Sequence, residues 1–320
     1  MCIRDRLYLG GKFLDEECLK FAAQIATKTG CRLVTDTFVS RIRRGAGLPI
    51  VQQVPYFSEM AEDFLQGTES IVFIGTKPPV SFFAYPDKKS FLSPDEAELF
   101  ELCSVEENGY EALALLSELS GSPKIANELI RPYIADVPTS GDLDVTTLGP
   151  LIADIMPEES IVSDESATSS LIVTPHALQA KPHDWLALTG GSIGQGLPLA
   201  IGASIAKPDR PVITLHGDGG AMYTVQALWT QARENLNITN IIFSNRSYEI
   251  LKIELDRVQA VETGDRAASM FSMDNPPIDW VNLAESMGVQ GYKPKTVKEF
   301  KDVFSKSVNE SGPSLIEIEI

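Results

Sequence analysis

Apolar and polar positions along the chain fall into two successive series, each alternating short apolar runs with stretches of helical period. In the first series Leu7–Gly11 is a short apolar run ending on a glycine pair. Phe13–Thr29 follows with Leu14, Leu19, Ala22, Ala23 and Ile25 at helical spacing, and Gly30 acts as a stop. Cys31–Val34 and Ser70–Gly75 read as further strands, with a helical stretch around Phe57–Leu65 between them. Repeated strand–helix units imply a parallel sheet with helices on its faces, and the spacing predicts a Rossmann-like domain over residues 7–120.

Periodicity weakens over Ser117–Leu143, where Gly121, Pro123, Pro132, Pro138 and Gly141 punctuate the chain, and a linker is expected at 121–143. A second α/β domain is expected over 144–320. Its strands are Ser160–Ser163, Pro211–His216, Asn240–Ser244 and Ser314–Ile320. Its helices are Thr146–Met156, Pro198–Ala206, Ala221–Asn235, Trp280–Met287 and Val297–Val308. The fold class is therefore α/β, with two Rossmann-like parallel-sheet domains and no internal repeat. Leu186–Ala206 runs 21 residues without a formal charge, long enough to span a bilayer. Gly190, Gly191, Gly194, Gly196 and Gly202 make it too weakly hydrophobic, so it reads as a loop entering a buried helix.

Composition narrows the function classes. The 320 residues include 43% hydrophobic and 22% charged residues, ordinary for a globular chain. The net charge of −17 excludes a general nucleic-acid binder and argues against an anionic membrane surface. An anionic ligand would then need neutralising by something other than bulk charge, and a metal ion is the obvious agent. Four cysteines, Cys2, Cys18, Cys31 and Cys103, form no CxxC pair and read as reduced cytoplasmic thiols. Met1–Arg6 alternates charged and apolar residues and leads abruptly into the first strand. This suggests a missing upstream region, with the first six residues foreign to the protein.

The chemically informative stretch is His216-Gly217-Asp218-Gly219-Gly220, with Asn245 27 residues after Asp218. An amphipathic helix is expected between them, with Met222, Val225, Leu228, Trp229, Ala232 and Leu236 on its periodic positions. Strand, crossover helix and strand make a right-handed βαβ unit, so both strands end on one edge of the sheet. Asp218 and Asn245 stand just past those ends, where open α/β sheets bind ligands. A carboxylate, an amide oxygen and a nearby backbone carbonyl suit Mg²⁺, which usually completes its shell with phosphate and water. Gly217, Gly219 and Gly220 let backbone N–H groups approach a phosphate at a helix start. The plain alternative is an Asp-Gly turn and a strand-end Asn without a ligand.

From Gly217-Asp218-Gly219 to Asn245-Arg246-Ser247 the chain resembles the thiamin-diphosphate (ThDP) motif of the acetolactate synthase and benzoylformate decarboxylase superfamily. The likeness runs from Asp164-Glu165-Ser166 to Tyr248 and returns in Gly312-Pro313-Ser314-Leu315-Ile316-Glu317. It implies Asp218, Asn245 and, by its backbone carbonyl, Ser247 as Mg²⁺ ligands, with Gly219 and Gly220 on the diphosphate. Gly190–Pro198 corresponds to the segment that holds the cofactor's rings. There Ile193 would force the bent cofactor shape and the Gly191 carbonyl would accept from the 4′-amino group. Thr168 would bond the diphosphate, whereas Ala167 has no hydroxyl for it. The implied cofactor-binding set is Thr168, Gly191, Ser192, Ile193, Gly217, Asp218, Gly219, Gly220, Asn245, Ser247 and Tyr248. Glu165 is the candidate catalytic residue, expected to face the substrate pocket, against the alternative of a helix-capping cluster at 164–168.

The superfamily has a pyrimidine-binding, a middle and a diphosphate-binding domain, and only the latter two correspond to this chain. The resemblance therefore implies a site shared with the pyrimidine-binding domain of another subunit, a homodimer or homotetramer, and no turnover by this chain alone. Ala84 stands about where some benzoylformate decarboxylase-like proteins carry a histidine. Some members bind FAD in the middle domain, but Gly45-Ala46-Gly47 follows Arg41, Arg43 and Arg44 rather than a strand, so no residue supports FAD. His176 and His183 are expected in a polar loop, and Met270–Pro277 as a mobile cover or a surface loop. The reading is a ThDP- and Mg²⁺-dependent decarboxylase or carboligase of small 2-oxo acids, acetolactate synthase-like. Its rivals are a non-catalytic ThDP-fold subunit, a benzoylformate-type decarboxylase releasing an aldehyde, and an NAD- or FAD-binding protein.

Overall fold

The computed structural model describes residues 3–85, 87–126, 137–258 and 264–320. Pro86 and the stretch 127–136 of the expected linker lie outside the described residues. The chain divides into two compact units, residues 1–131 and 132–320.

In the first unit the strands are β1 (Asp5–Leu9), β2 (Arg32–Thr35), β3 (Ile42–Arg44), β4 (Gln52–Gln53), β5 (Ser70–Ile74) and β6 (Glu98–Cys103). Five of them form a parallel sheet in the order β4-β2-β1-β5-β6. β1 is central and buried along its length, because it is covered on both faces. It begins at Asp5, which pairs with Ser70, so the sheet takes in two residues that the sequence reading left outside the domain. The first helix is Glu16–Thr29, not Phe13–Thr29: the Asp15 carboxylate accepts from the Cys18 N–H and starts it there. Gly30, at φ 76°, ends it as expected. Strand β6 and helix Gly109–Leu119 escaped the pattern reading. β6 is an edge strand that exposes Glu98, Leu99, Phe100 and Glu101 in a row, so it shows no alternation. Tyr8, Val34, Leu65, Ile71 and Phe73 are at the heart of one core cluster of this unit.

In the second unit the strands are β7 (Ile161–Glu165), β8 (His183–Leu186), β9 (Val212–Gly217), β10 (Ile238–Ser244), β11 (Gln290–Tyr292) and β12 (Ser314–Glu319). They lie parallel in the order β11-β12-β10-β9-β7-β8. β7 runs two residues further than expected and carries Asp164 and Glu165 inside the sheet. His176 belongs to helix Ser170–Ala177 and His183 is buried in β8, which corrects the polar loop expected for both. Leu186–Ala206 is a strand end, a glycine turn and the helix Gly196–Ala206; among the described residues no helix is long and apolar enough to cross a membrane.

The crossover between β9 and β10 departs from the continuous helix expected over Ala221–Asn235. A short helix Asp218–Ala221 gives way to tight turns, and helix Ala227–Arg233 follows. The turns carry i→i+3 bonds, Tyr223 N–H to Gly220 O and Thr224 N–H to Ala221 O, and the Thr224 hydroxyl leaves the helix path to reach the Gly194 carbonyl. Met222 and Trp229, placed on the buried stripe by the periodicity, are therefore exposed, while Leu228 packs in the core with Trp280.

A fully buried polar network sets the crossover helix against the sheet. Asn240 Nδ2 donates to Gln231 Oε1 at 2.8 Å and to the Ser314 carbonyl at 2.9 Å, while its Oδ1 accepts from Thr214 and Gln231. Removing one partner leaves buried polar atoms unpaired, at about 1–3 kcal/mol. Asn240→Ala is expected to lower the stability of the second unit by about 2–3 kcal/mol. All three tryptophans, Trp185, Trp229 and Trp280, lie in that unit, so urea unfolding followed by tryptophan fluorescence reads it directly.

Candidate functional site

The site grows from the register of β9 and β10, which sets Gly217 opposite Phe243 and brings both strands out on the same edge. Asp218 follows Gly217 directly and is 3% exposed. Its Oδ1 accepts from the Gly219 N–H at 2.9 Å, and its Oδ2 accepts from the Arg246 N–H at 2.8 Å and, more weakly, from the Ser244 hydroxyl at 3.5 Å. The two strand-end turns are thereby stitched through one carboxylate. Arg246 turns the chain in the left-handed region at φ 52°, and Asn245 Oδ1 accepts from the Ser247 N–H at 2.9 Å. The Arg246 guanidinium pairs with Asp274 and Glu319, fixing the turn from its outer side.

Burial pushes the Asp218 carboxyl up from its ordinary value, more than the bonds from Arg246, Gly219 and Ser244 pull it down. An added cation would reverse that balance. The donors within reach of this turn are hard oxygens, the Asp218 carboxylate, the Asn245 amide oxygen and the Ser247 carbonyl, which is the chemistry Mg²⁺ selects. No cluster of three His, Cys, Asp or Glu suited to a metal exists among the described residues. A cation here would thus depend on amide and carbonyl oxygens and on oxygens brought by its ligand. The residues fit a Mg²⁺-diphosphate group.

The glycines around the turn permit close approach. A Cβ on Gly219 would lie 2.8 Å from the Tyr248 ring, so Tyr248 packs directly on the Gly219 backbone. Around Gly217 the nearest atoms would be 3.9 Å away. The Met270–Pro277 stretch, expected as a cover or a loop, is bonded onto the site: Tyr248 N–H donates to Phe271 O and Met273 N–H to Arg246 O.

The second group of candidates lies on the glycine loop before the helix Gly196–Ala206 and at the end of β7. Gly190 and Gly191 sit at φ 64° and Gly194 at φ 92°, so the loop's path requires glycine. Ser192 is exposed, Ile193 is half exposed, and the Gly191 carbonyl accepts from the Ile193 N–H at 2.9 Å. Thr168 is partly buried on the turn after β7, and among the described residues no hydrogen bond links Thr168 or Ser192 to the Asp218 turn. Asp164 takes bonds from Ser166 and Ser170, and neither helix that follows carries a side-chain cap. Glu165 does not open on a pocket. It is 5% exposed and accepts from the Gly194 and Gly196 N–H groups, with Oε2 3.1 Å from His216 Nε2. Burial works to raise the Glu165 carboxyl, but His216 and the two amides together hold it below its ordinary value. Thr224 and Arg246 were missed as supports, while His216, a strand-end histidine of the kind that is more often structural, is set opposite Glu165 by the register of β7 and β9.

In the first unit the corresponding edge is filled by the chain itself. Asp36 accepts from the Tyr8 hydroxyl at 3.0 Å and from the Thr76 hydroxyl at 2.8 Å. A Cβ on Gly75 would lie 2.2 Å from the Phe13 ring, one on Gly109 2.6 Å from it, and one on Gly10 2.5 Å from Thr76. Gly45–Gly47 does follow a strand, β3, contrary to the sequence reading, but no helix follows the turn as a dinucleotide site would need. These residues form no dinucleotide fingerprint.

Two parallel α/β units, one with a carboxylate–amide turn pair at its strand ends, make up the chain. Residues 167–318 match the family "Thiamine pyrophosphate enzyme, C-terminal TPP binding domain". The likeness read from Gly217 to Ser247 therefore stands. The chain is 40% identical over 318 residues to "Putative acetolactate synthase large subunit IlvX" of Mycobacterium tuberculosis, covering 98% of this chain and 60% of that protein. It is 26% identical over 205 residues to benzoylformate decarboxylase of Pseudomonas aeruginosa, covering 64% of this chain and 38% of that enzyme. The fold is that of the 4-hydroxybenzoylformate decarboxylase of Rhodococcus jostii RHA1, at TM-score 0.74 and 24% identity, over 98% of this chain and 61% of that one. The chain thus spans about three fifths of its relatives' length at most.

A raised Asp218 carboxyl has a pH consequence. In the cation-free protein the folded state holds this proton more tightly than the unfolded state, so the group favours folding below the ordinary Asp value. That contribution is lost as pH rises through the raised value. Protons also compete with a cation at milder acidity than at an exposed Asp. Affinity for Mg²⁺ with ThDP is expected to fall as pH drops through the raised range and to be level above it. Titration calorimetry across that range checks this, and an affinity flat with pH would remove Asp218 from the donor set.

Proposed function

We propose that this chain forms the middle and diphosphate-binding parts of a ThDP- and Mg²⁺-dependent 2-oxo acid decarboxylase or carboligase, acetolactate synthase-like. The observation that carries the reading is the Asp218 carboxylate shared between the two strand-end turns, 2.8 Å from the Arg246 N–H. In this reading it joins the two turns whose carboxylate and amide oxygens would serve as donors. The 40% identity over almost the whole chain to an acetolactate synthase-type relative favours the carboligase side.

When bound, ThDP supplies an electron sink for the pair released as a 2-oxo acid loses CO₂. The chain's own part is to hold and orient. Asp218, Asn245 and the Ser247 carbonyl would take the Mg²⁺, and the N–H groups of Gly219 and Gly220 would face the diphosphate with Thr168 beside them. Gly191 would accept from the aminopyrimidine, and Ile193 would press on the cofactor from below. Ile193, Met222 and Tyr223 are exposed apolar side chains, and Tyr223 packs against Gly194 in the same loop. In this reading they are covered by the pyrimidine-binding domain of another subunit, in a homodimer or homotetramer. Reduced, buried Cys18, Cys31 and Cys103 fit a cytoplasmic protein.

Asp218→Ala is expected to abolish Mg²⁺-dependent ThDP binding, measured by calorimetry or equilibrium dialysis; unchanged affinity would count decisively against the site. The 320-residue chain supplied with Mg²⁺, ThDP and a 2-oxo acid is expected to release no CO₂ until a pyrimidine-binding domain is added. Decarboxylation by the chain alone overturns the need for that domain.

A further inference from the structure

We propose that Glu165 is a positioning residue: its carboxylate locks the glycine loop carrying Gly191 and Ile193 onto the strand ends that carry Asp218. The lock is a feature of the fold, and its value to a cofactor rests on the function proposed above.

The geometry is specific. Glu165 ends β7 opposite His216 of β9, and its carboxylate points across to the loop. Oε1 accepts from the Gly194 N–H, and Oε2 accepts from the Gly196 N–H at 2.7 Å with His216 Nε2 3.1 Å away. The carbonyls of the same two glycines are tied as well, Gly194 O to the Thr224 hydroxyl at 2.6 Å and Gly196 O to the Ser163 hydroxyl at 2.9 Å. Four backbone groups of two glycines, Gly194 and Gly196, are thus held by side chains from β7 and from the turn after Asp218. Bonds to an ionised acceptor are the strong ones.

There is also no slack. A Cβ on Gly196 would lie 2.9 Å from the His216 ring, and one on Gly220 2.9 Å from Glu165 Oε1. Gly220 belongs to the short helix that Asp218 begins, so Glu165 and His216 fill the space between loop and helix. A group with both oxygens engaged and 5% exposure is placed to hold backbone, not to meet a substrate.

Glutamine tests the lock with little change of shape. An ionised carboxylate is an acceptor at both oxygens, whereas an amide sets an NH₂ group against one of the two N–H donors. Amide hydrogen exchange of the full chain, resolved at Gly194 and Gly196, is expected to speed up about tenfold or more in Glu165→Gln. Amides of the β9 and β10 core should stay as protected as in the wild type. Glu165→Asp, which keeps the charge but draws it back by one methylene, is measured alongside in case the glutamine variant does not fold, with the same two amides expected to loosen. Unchanged exchange at Gly194 and Gly196, or loss of protection spread equally over the core, overturns the proposal. ThDP binding in Mg²⁺ is expected to weaken about tenfold in step with the exchange. Wild-type affinity in a loosened variant overturns the positioning role. Loosening in the variant with no ThDP binding by either protein upholds the lock and counts against the cofactor reading instead.

Discussion

Parallel pairing of β9 with β10 is the constraint on which the second unit's chemistry depends. With Gly217 opposite Phe243, the residues that follow each strand emerge side by side, and the first of them on β9 is an aspartate. A buried carboxylate must be met by donors or neutralised. Here it is met by main-chain N–H groups from its own turn and from the neighbouring turn, so the electrostatic need of Asp218 is what joins the two turns. Arg246 can supply that N–H only because it enters the left-handed region, and its guanidinium is held there by Asp274 and Glu319.

The unit buries two carboxylates within one layer of the sheet edge and treats them oppositely. Glu165 has more favourable contacts than its burial costs, and its charge is consumed inside the protein by two amides and His216. Asp218 remains under-compensated, and its carboxyl is pushed up. Environments that drive two like groups apart are a mark of divided roles. Glu165 serves as scaffold with both oxygens engaged, whereas Asp218 keeps a raised carboxyl despite its three hydrogen bonds. The glycines between them are small for a packing reason, since Gly196 and Gly220 leave room for the scaffold pair.

Much of this was legible in the residues. β9 and β10 are rich in Val, Ile and Leu and buried along almost their whole length because both faces are covered, and the glycine–aspartate turn and the Asn after them follow from the chain order. Hydrophobic period misled where it ran through a turn. Met222 and Val225 keep helical spacing past Gly219 and Gly220, yet the Thr224 hydroxyl bonds Gly194 and breaks the helix, and no local pattern records that partner. Glu165 was placed on a turn because β7 was read two residues short, whereas it is a sheet residue. β3, with two arginines among its three residues, and the charged edge strand β6 lack the apolar signature that identifies interior strands. Such elements are specified by what they pair with.

The acidity of the chain acquires its physical sense from the comparison of its two units. Both place loops at the carboxyl edge of a parallel sheet, where an anionic cofactor would normally be received. After β1 the chain reads Gly10-Gly11-Lys12-Phe13, and the Phe13 ring turns back over Gly75 and Gly109 and closes the crevice. After β9 it reads Asp218-Gly219-Gly220, with a carboxylate and small residues in place of a ring, and the edge keeps its oxygen donors. In the function proposed above, an anionic cofactor at that edge of a chain with a net charge of −17 would be held through backbone N–H groups and a cation bridging it to Asp218 rather than by bulk positive charge.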